Sequence, residues 1–83
     1  MDITKDLQIL IGKKIHDVRI KNKQTQNDIE FLTGIDTADV SKHEKGKKNL
    51  TLKTLMKFAL ALNVHPKELL DFEFDITKYK TDR

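Results

Sequence analysis

Residues 25–46 read TQNDIEFLTGIDTADVSKHEKG, and the way this stretch folds decides the architecture of the whole chain. Thr25 suits an N-cap, because its hydroxyl can accept a backbone N–H from the first helical turn, and a short helix is expected from there through Thr33 with Ile29 pointing inward. Gly34 follows, where a helix C-terminus often needs a left-handed residue. Asp36 then caps a further helix that runs to Glu44, with Val40 on its inner face. Helices this short are marginal alone, so both must bury their apolar sides against flanking elements.

Those flanking elements are legible on either side. Leu7, Ile11, Ile15 and Val18 recur at helical spacing between Leu7 and Ile20, with Lys13, Lys14, Asp17 and Lys21 on the polar side, and Asn22, Lys23 and Gln24 end that helix. Beyond the central stretch, Lys45, Gly46, Lys47, Lys48 and Asn49 form a loop. Thr51 caps a helix whose Leu52, Leu55, Met56, Ala59 and Leu62 form a broad apolar stripe, and Asn63 closes it. Pro66 opens a fifth short helix ending near Leu70. The expected fold is therefore all-α, a five-helix bundle over residues 1–71, with no βαβ alternation.

Residues 72–83 differ in pattern. Phe72, Phe74 and Ile76 alternate with Glu73, Asp75 and Thr77, a period of two that reads as a short strand. A lone strand would need a backbone partner outside its own chain. The other reading is a tail whose aromatic rings lie back on the core.

Composition narrows the function. Eighty-three residues of which 37% are apolar supply one core, and a chain so small gains stability from a partner subunit. The 16 Lys+Arg against 13 Asp+Glu make the chain only mildly basic, so the location of the charge matters more than its sum. From Lys42 to Lys57 there are six lysines against Glu44 alone. Without cysteine there is no disulfide, thiol nucleophile or zinc finger, which fits a reducing compartment. No leader is expected at the N-terminus, and no apolar run approaches the roughly 20 residues that span a bilayer. His16, His43 and His65 fall on separate elements without metal-ligand spacing, and no GxSxG, phosphate loop or HExxH occurs. The expectation is no enzyme, no metal and no cofactor.

Two short helices joined by a tight turn at Gly34-Ile35 make a helix-turn-helix, whose second helix characteristically enters the major groove of double-stranded DNA. That groove, about 12 Å wide, admits one α-helix with its outer side chains at the base edges.

Four blocks in order then resemble one family, the phage-repressor/Cro-like helix-turn-helix domains, also called the XRE family. GKKIHDVR (12–19) looks like its first helix, TQNDI (25–29) like the opening of its second, SKHEKGK (41–47) like the end of its recognition helix, and LTLKTLMKFALALNVHPKELL (50–70) like its last two helices. The resemblance implies that Gln26 bonds the phosphate backbone and braces the recognition helix. It implies that Thr37, Ala38 and Lys42 face bases, that Ser41 touches phosphate or base, and that Lys47, Lys48 and Asn49 lie along the backbone. It also implies an internal Arg19–Glu44 salt bridge and a partly buried, aromatic-type position for His43. Asp39 is the exception on this surface, and is read as a favourable charge near a helix N-terminus. Other positions depart from the family pattern: Glu30 stands where a small alanine is usual, Gln24 replaces an apolar residue, and Phe31 and Leu32 replace polar ones.

What the resemblance implies for function is a cytoplasmic transcriptional regulator, a repressor, binding an inverted-repeat operator as a homodimer. Leu70, Phe72, Phe74 and Ile76 are the candidate interface, because they would otherwise expose apolar surface. The alternative is an antitoxin that binds a toxin and represses its own operon, with the tail strand pairing across the dimer.

Overall fold

In the computed structural model, which describes residues 2–79, the first helix starts earlier than its apolar periodicity suggests. Asp2 accepts the N–H groups of Thr4 and Lys5, so α1 spans Ile3–Lys21. The central stretch folds as its caps dictate. Thr25 and Asp28 form a reciprocal capping box, at 3.0 and 2.8 Å, that opens α2 (Gln26–Thr33). Gly34 ends it at φ 78°, and Asp36 accepts the Ala38 N–H to open α3 (Thr37–Glu44). Thr51 caps α4 (Leu52–Leu62), which Asn63 closes in the left-handed conformation.

The fifth element is not an α-helix. Pro66–Leu70 forms a 3₁₀ turn, begun by the His65 ring nitrogen, which accepts the Lys67 N–H. Five residues starting at a proline have too few N–H groups for a run of α-type bonds, and the tighter pattern prevails. Among the described residues the fold is thus four α-helices with two 3₁₀ turns.

The core draws a fully buried side chain from every one of these elements but the last turn: Ile15 from α1, Ile29 from α2, Val40 from α3, Phe58 and Leu62 from α4, and Leu69 from Pro66–Leu70. α1 packs on α3 and on Pro66–Leu70, while α2 packs on α3 and α4. The broad stripe expected on α4 divides. Leu55, Ala59 and Leu62 turn inward together with Phe58, whereas Leu52 and Met56 join Leu60 on the open side at 82, 43 and 75% exposure.

The tail corrects a second expectation. No strand forms among the described residues; Ile76–Lys78 is a 3₁₀ turn capped by Asp75, which accepts the Thr77 N–H. Phe74 stacks on Tyr79 with ring centroids 5.2 Å apart, and the Tyr79 hydroxyl donates to Asp6 of α1 at 2.6 Å. A local turn satisfies backbone groups that an unpaired strand would leave open, so the tail lies back on its own chain. The described residues thus show no strand of the kind that the antitoxin alternative drew on; residues 80–83 of the tail lie outside the described residues.

Candidate nucleic-acid interface

The site is built on a close crossing of α1 over the end of α3. Gly12 is buried there, and a side chain on it would collide with the backbone carbonyls of His43 and Glu44. The missing side chain lets α1 bring His16 and Arg19 up to Glu44. Arg19 Nε donates to Glu44 Oε2 at 2.6 Å and Nη2 to Oε1 at 3.0 Å, a bidentate pair with side-chain exposures of 10 and 5%. Arg19 Nη1 also donates to the Gln24 carbonyl at 2.8 Å. The implied internal salt bridge is formed.

Glu44 collects more than that pair. His16 Nδ1 lies 2.9 Å from its Oε1, and Gln26 Nε2 donates to the same oxygen at 3.3 Å. Burial by itself would raise the Glu44 carboxyl's pKa, but the bonds from Arg19, His16 and Gln26 outweigh it and hold the group below the ordinary carboxylate range. The Gln26 amide thus spends one N–H inside the protein, and its nitrogen carries a second. Gln26 is half-buried at the first position of α2.

The faces of α3 follow from about 100° of rotation per residue. Val40 and His43 are buried on the inner side, where the His43 ring meets Phe58 edge-on at 5.4 Å. Burial, and then the charge of Lys48, push the His43 pKa down. Ala38 and Lys42 lie on the outer side at i and i+4, and Lys45 continues the line at i+7; all three are exposed. Thr37 and Ser41 are half-buried at its edge. In the following loop Lys47 and Asn49 are exposed, whereas Lys48 is engaged: its Nζ lies 2.8 Å from Asp39 Oδ2. That bond lowers the Asp39 pKa. Asp39 lies in the first turn of α3, as the helix-terminus reading expects, behind the cap Asp36, whose carboxylate holds the Ala38 N–H.

Sequence reasoning therefore missed Lys45, the Asp39–Lys48 pair, and the convergence of His16 and Gln26 on Glu44. The i, i+4, i+7 spacing from Ala38 was a usable signal for Lys45. The departures from the family pattern resolve simply. Glu30 is exposed, Gln24 donates to the Ala61 carbonyl at 2.9 Å, and Phe31 and Leu32 are 78 and 59% exposed. Among the described residues no three His, Asp or Glu side chains converge as metal ligands, and no helix is long and apolar enough to cross a membrane.

Two short helices locked at a glycine turn, with the second presenting lysines outward, define a helix-turn-helix domain. Comparison with known proteins agrees: the pattern of Cro/C1-type HTH DNA-binding domains matches residues 14–75, and the chain belongs to that family. The control protein C.BamHI of Bacillus amyloliquefaciens is 32% identical over 71 residues, covering 84% of this chain and 88% of that protein. The restriction-modification controller protein C.AhdI from Aeromonas hydrophila has a similar structure (TM-score 0.72, 33% identity), covering 77% of this chain and 96% of its own. The controller protein C.Esp1396I, solved as a tetramer with its natural 35 base-pair operator, superposes with TM-score 0.68 at 26% identity, covering 78% of this chain and 96% of its own.

Proposed function

We propose that this chain is a sequence-specific transcriptional regulator, a repressor acting in the cytoplasm, that places α3 in the major groove of an inverted-repeat operator as a homodimer. The observation that carries the reading is the outer line of α3 and its C-cap: Ala38, Lys42 and the capping Lys45 stand exposed while Val40 and His43 anchor the opposite side. Residues 1–71 form the DNA-binding domain in this reading, and residues 72–83 a tail. The names of the relatives extend it to control of a restriction-modification system.

Each candidate residue then has a role its chemistry allows. Lys42 donates to guanine or to phosphate, Ala38 touches a thymine methyl, and Thr37 and Ser41 offer hydroxyls at the groove edge. Gln26 gives its second amide hydrogen to a phosphate while Glu44 holds the first. Lys47 and Asn49 run beside the backbone, and Lys48 lies in the same loop with its ammonium bonded to Asp39. A second copy doubles the readout, with half-sites roughly 34 Å apart. Among the exposed apolar side chains, Leu52, Met56 and Leu60 on α4 form a line open to that copy, with Leu70 and Ile76 also exposed; Phe72 and Phe74 are half-buried.

Selection from a random DNA pool at ~50 and ~200 mM salt tests the reading. A palindromic consensus whose affinity falls steeply with salt is the expected result. Weak, sequence-blind binding at both concentrations sinks it. Lys42→Ala should relax preference at one base position, whereas Lys47→Ala should weaken all sequences alike and reduce the salt slope by about 1.

A further inference from the structure

A carboxylate is out of place on a surface that must approach phosphates, and Asp39 occupies such a place, one position beyond Ala38 on α3 with its side chain 34% exposed. Capping is not its role, because Asp36 already holds the Ala38 N–H, and a place in the first turn of α3 favours a negative charge without requiring one that is tied to a lysine. Solubility does not explain it either, because the group is engaged: Lys48, from the loop beyond α3, reaches back to place Nζ 2.8 Å from Oδ2. One oxygen is thus neutralised by a lysine and the other, Oδ1, carries no partner among the described residues.

We propose that Asp39 is a specificity-determining residue that selects a cytosine at the edge of each half-site, with Lys48 as its positioning partner. The inference rests on the DNA-binding reading above. The chemistry is that of hydrogen-bond acceptance. A carboxylate oxygen accepts from the exocyclic N4 amine of cytosine, the major-groove group that a C presents; guanine offers only acceptors there, thymine O4 and a methyl, and adenine an N6 amine flanked by the N7 acceptor, which repels a carboxylate. Lys48 makes this tolerable next to DNA in two ways. Its charge cancels that of Asp39 against the nearby phosphates, and its bond fixes the carboxylate's rotamer before binding. The pair also withholds Lys48 from the phosphates, so the loop contributes fewer counterion-releasing contacts than its lysine count suggests.

Two consequences separate this role from a purely structural tether between α3 and its loop. With Asp39→Ala, preference at one symmetric base-pair position should collapse from about 5- to 150-fold, the span typical of a single base pair, to near unity. At the same time the freed Lys48 should bind phosphate, so the slope of log affinity against log salt should steepen by about 1 for every sequence. Adding Lys48→Ala should return the slope without restoring the preference. Asp39→Asn, which keeps the shape but replaces one carboxylate oxygen with an amide NH2 donor, should move the preference at that position from cytosine toward adenine.

The experiment is DNA selection with the full-length wild type, Asp39→Ala, Asp39→Asn and the Asp39→Ala/Lys48→Ala double variant, each first matched to wild type by helical circular dichroism. A shift confined to one position of the wild-type consensus, with the salt slope moving as stated, supports the assignment. An unchanged consensus in both Asp39 variants overturns it while leaving the DNA-binding reading intact, as does a uniform affinity loss with no positional change. Failure of the wild type itself to select any DNA overturns the DNA-binding reading, and this assignment with it.

Discussion

Glu44 belongs to α3 yet receives hydrogen bonds from Arg19 and His16 of α1 and Gln26 of α2, so one carboxylate ties three helices together. Its charge is the condition of that tie. Because its pKa is depressed in the folded chain, the stabilisation is complete above the ordinary carboxylate range and disappears as pH falls through the folded value. His43 acts in the same direction at higher pH. Burial and Lys48 depress its pKa, so the unfolded chain takes up that proton first as pH drops through about 6.5, and folding weakens. Urea midpoints measured from pH 8 downward should therefore fall in two successive windows, and His43→Phe should abolish the contribution of that ring to the upper one. An upper window of undiminished size in that variant would refute the assignment. Glu44→Gln strands the Arg19 guanidinium and should cost about 3 kcal/mol by urea unfolding, as when one side of a buried pair is removed. A loss below about 1 kcal/mol, the level of an exposed pair, would mean that the network contributes little.

At the scale of elements, the crossing of α1 over α3 depends on what Gly12 lacks. Alanine is the better helix former by about 1 kcal/mol, so propensity alone favours Gly12→Ala. Against that stands a Cβ within 2.8 Å of the Glu44 carbonyl oxygen and closer still to that of His43, both backbone atoms that cannot swing aside. Overpacking costs of this kind run to about 1–3 kcal/mol, and the variant should be destabilised on balance, with a lower thermal midpoint. A raised midpoint would show that the helices separate freely. Caps were the legible part of this architecture. Thr25, Gly34, Asp36, Thr51 and Asn63 act within a few residues of themselves, so their chemistry is local and reads directly from the chain. The sidedness of α4 was not legible, because Leu52 and Leu60 are as apolar as Leu55 and Leu62, and only packed neighbours decide which of them turns inward. The alternation of Phe72, Phe74 and Ile76 failed for a related reason: Asp75 caps a local turn in the middle of it. On the candidate surface, Lys42 and Lys47 stand exposed where the motif puts them, whereas the Asp39–Lys48 pair joins a helix to the loop beyond its end and leaves no periodic trace.

At the scale of the whole molecule, the open side of α4 competes with the tail as the interface of the proposed homodimer. Leu52, Met56 and Leu60 form an unbroken apolar line, whereas Phe74 is already stacked on Tyr79. Met56→Glu with Leu60→Lys should thus convert a dimer to a monomer in sedimentation, while truncation after Asp71 should leave the dimer in place. A monomeric truncation would return the interface to the tail.

The docking of that tail has an optical side. Tyr79 is the single tyrosine of a chain without tryptophan, and its phenol is bonded to a carboxylate. An excited phenol is a far stronger acid than its ground state, and a carboxylate within bonding distance drains its emission. The protein should therefore glow faintly at tyrosine wavelengths while the tail is seated, and brighten when it lifts. Asp6→Asn should brighten it at once, and equal brightness in the two proteins would mean that the bond is not kept in solution. With no foreign dye attached, the chain would report its own tail position, in the same cuvette where DNA is added.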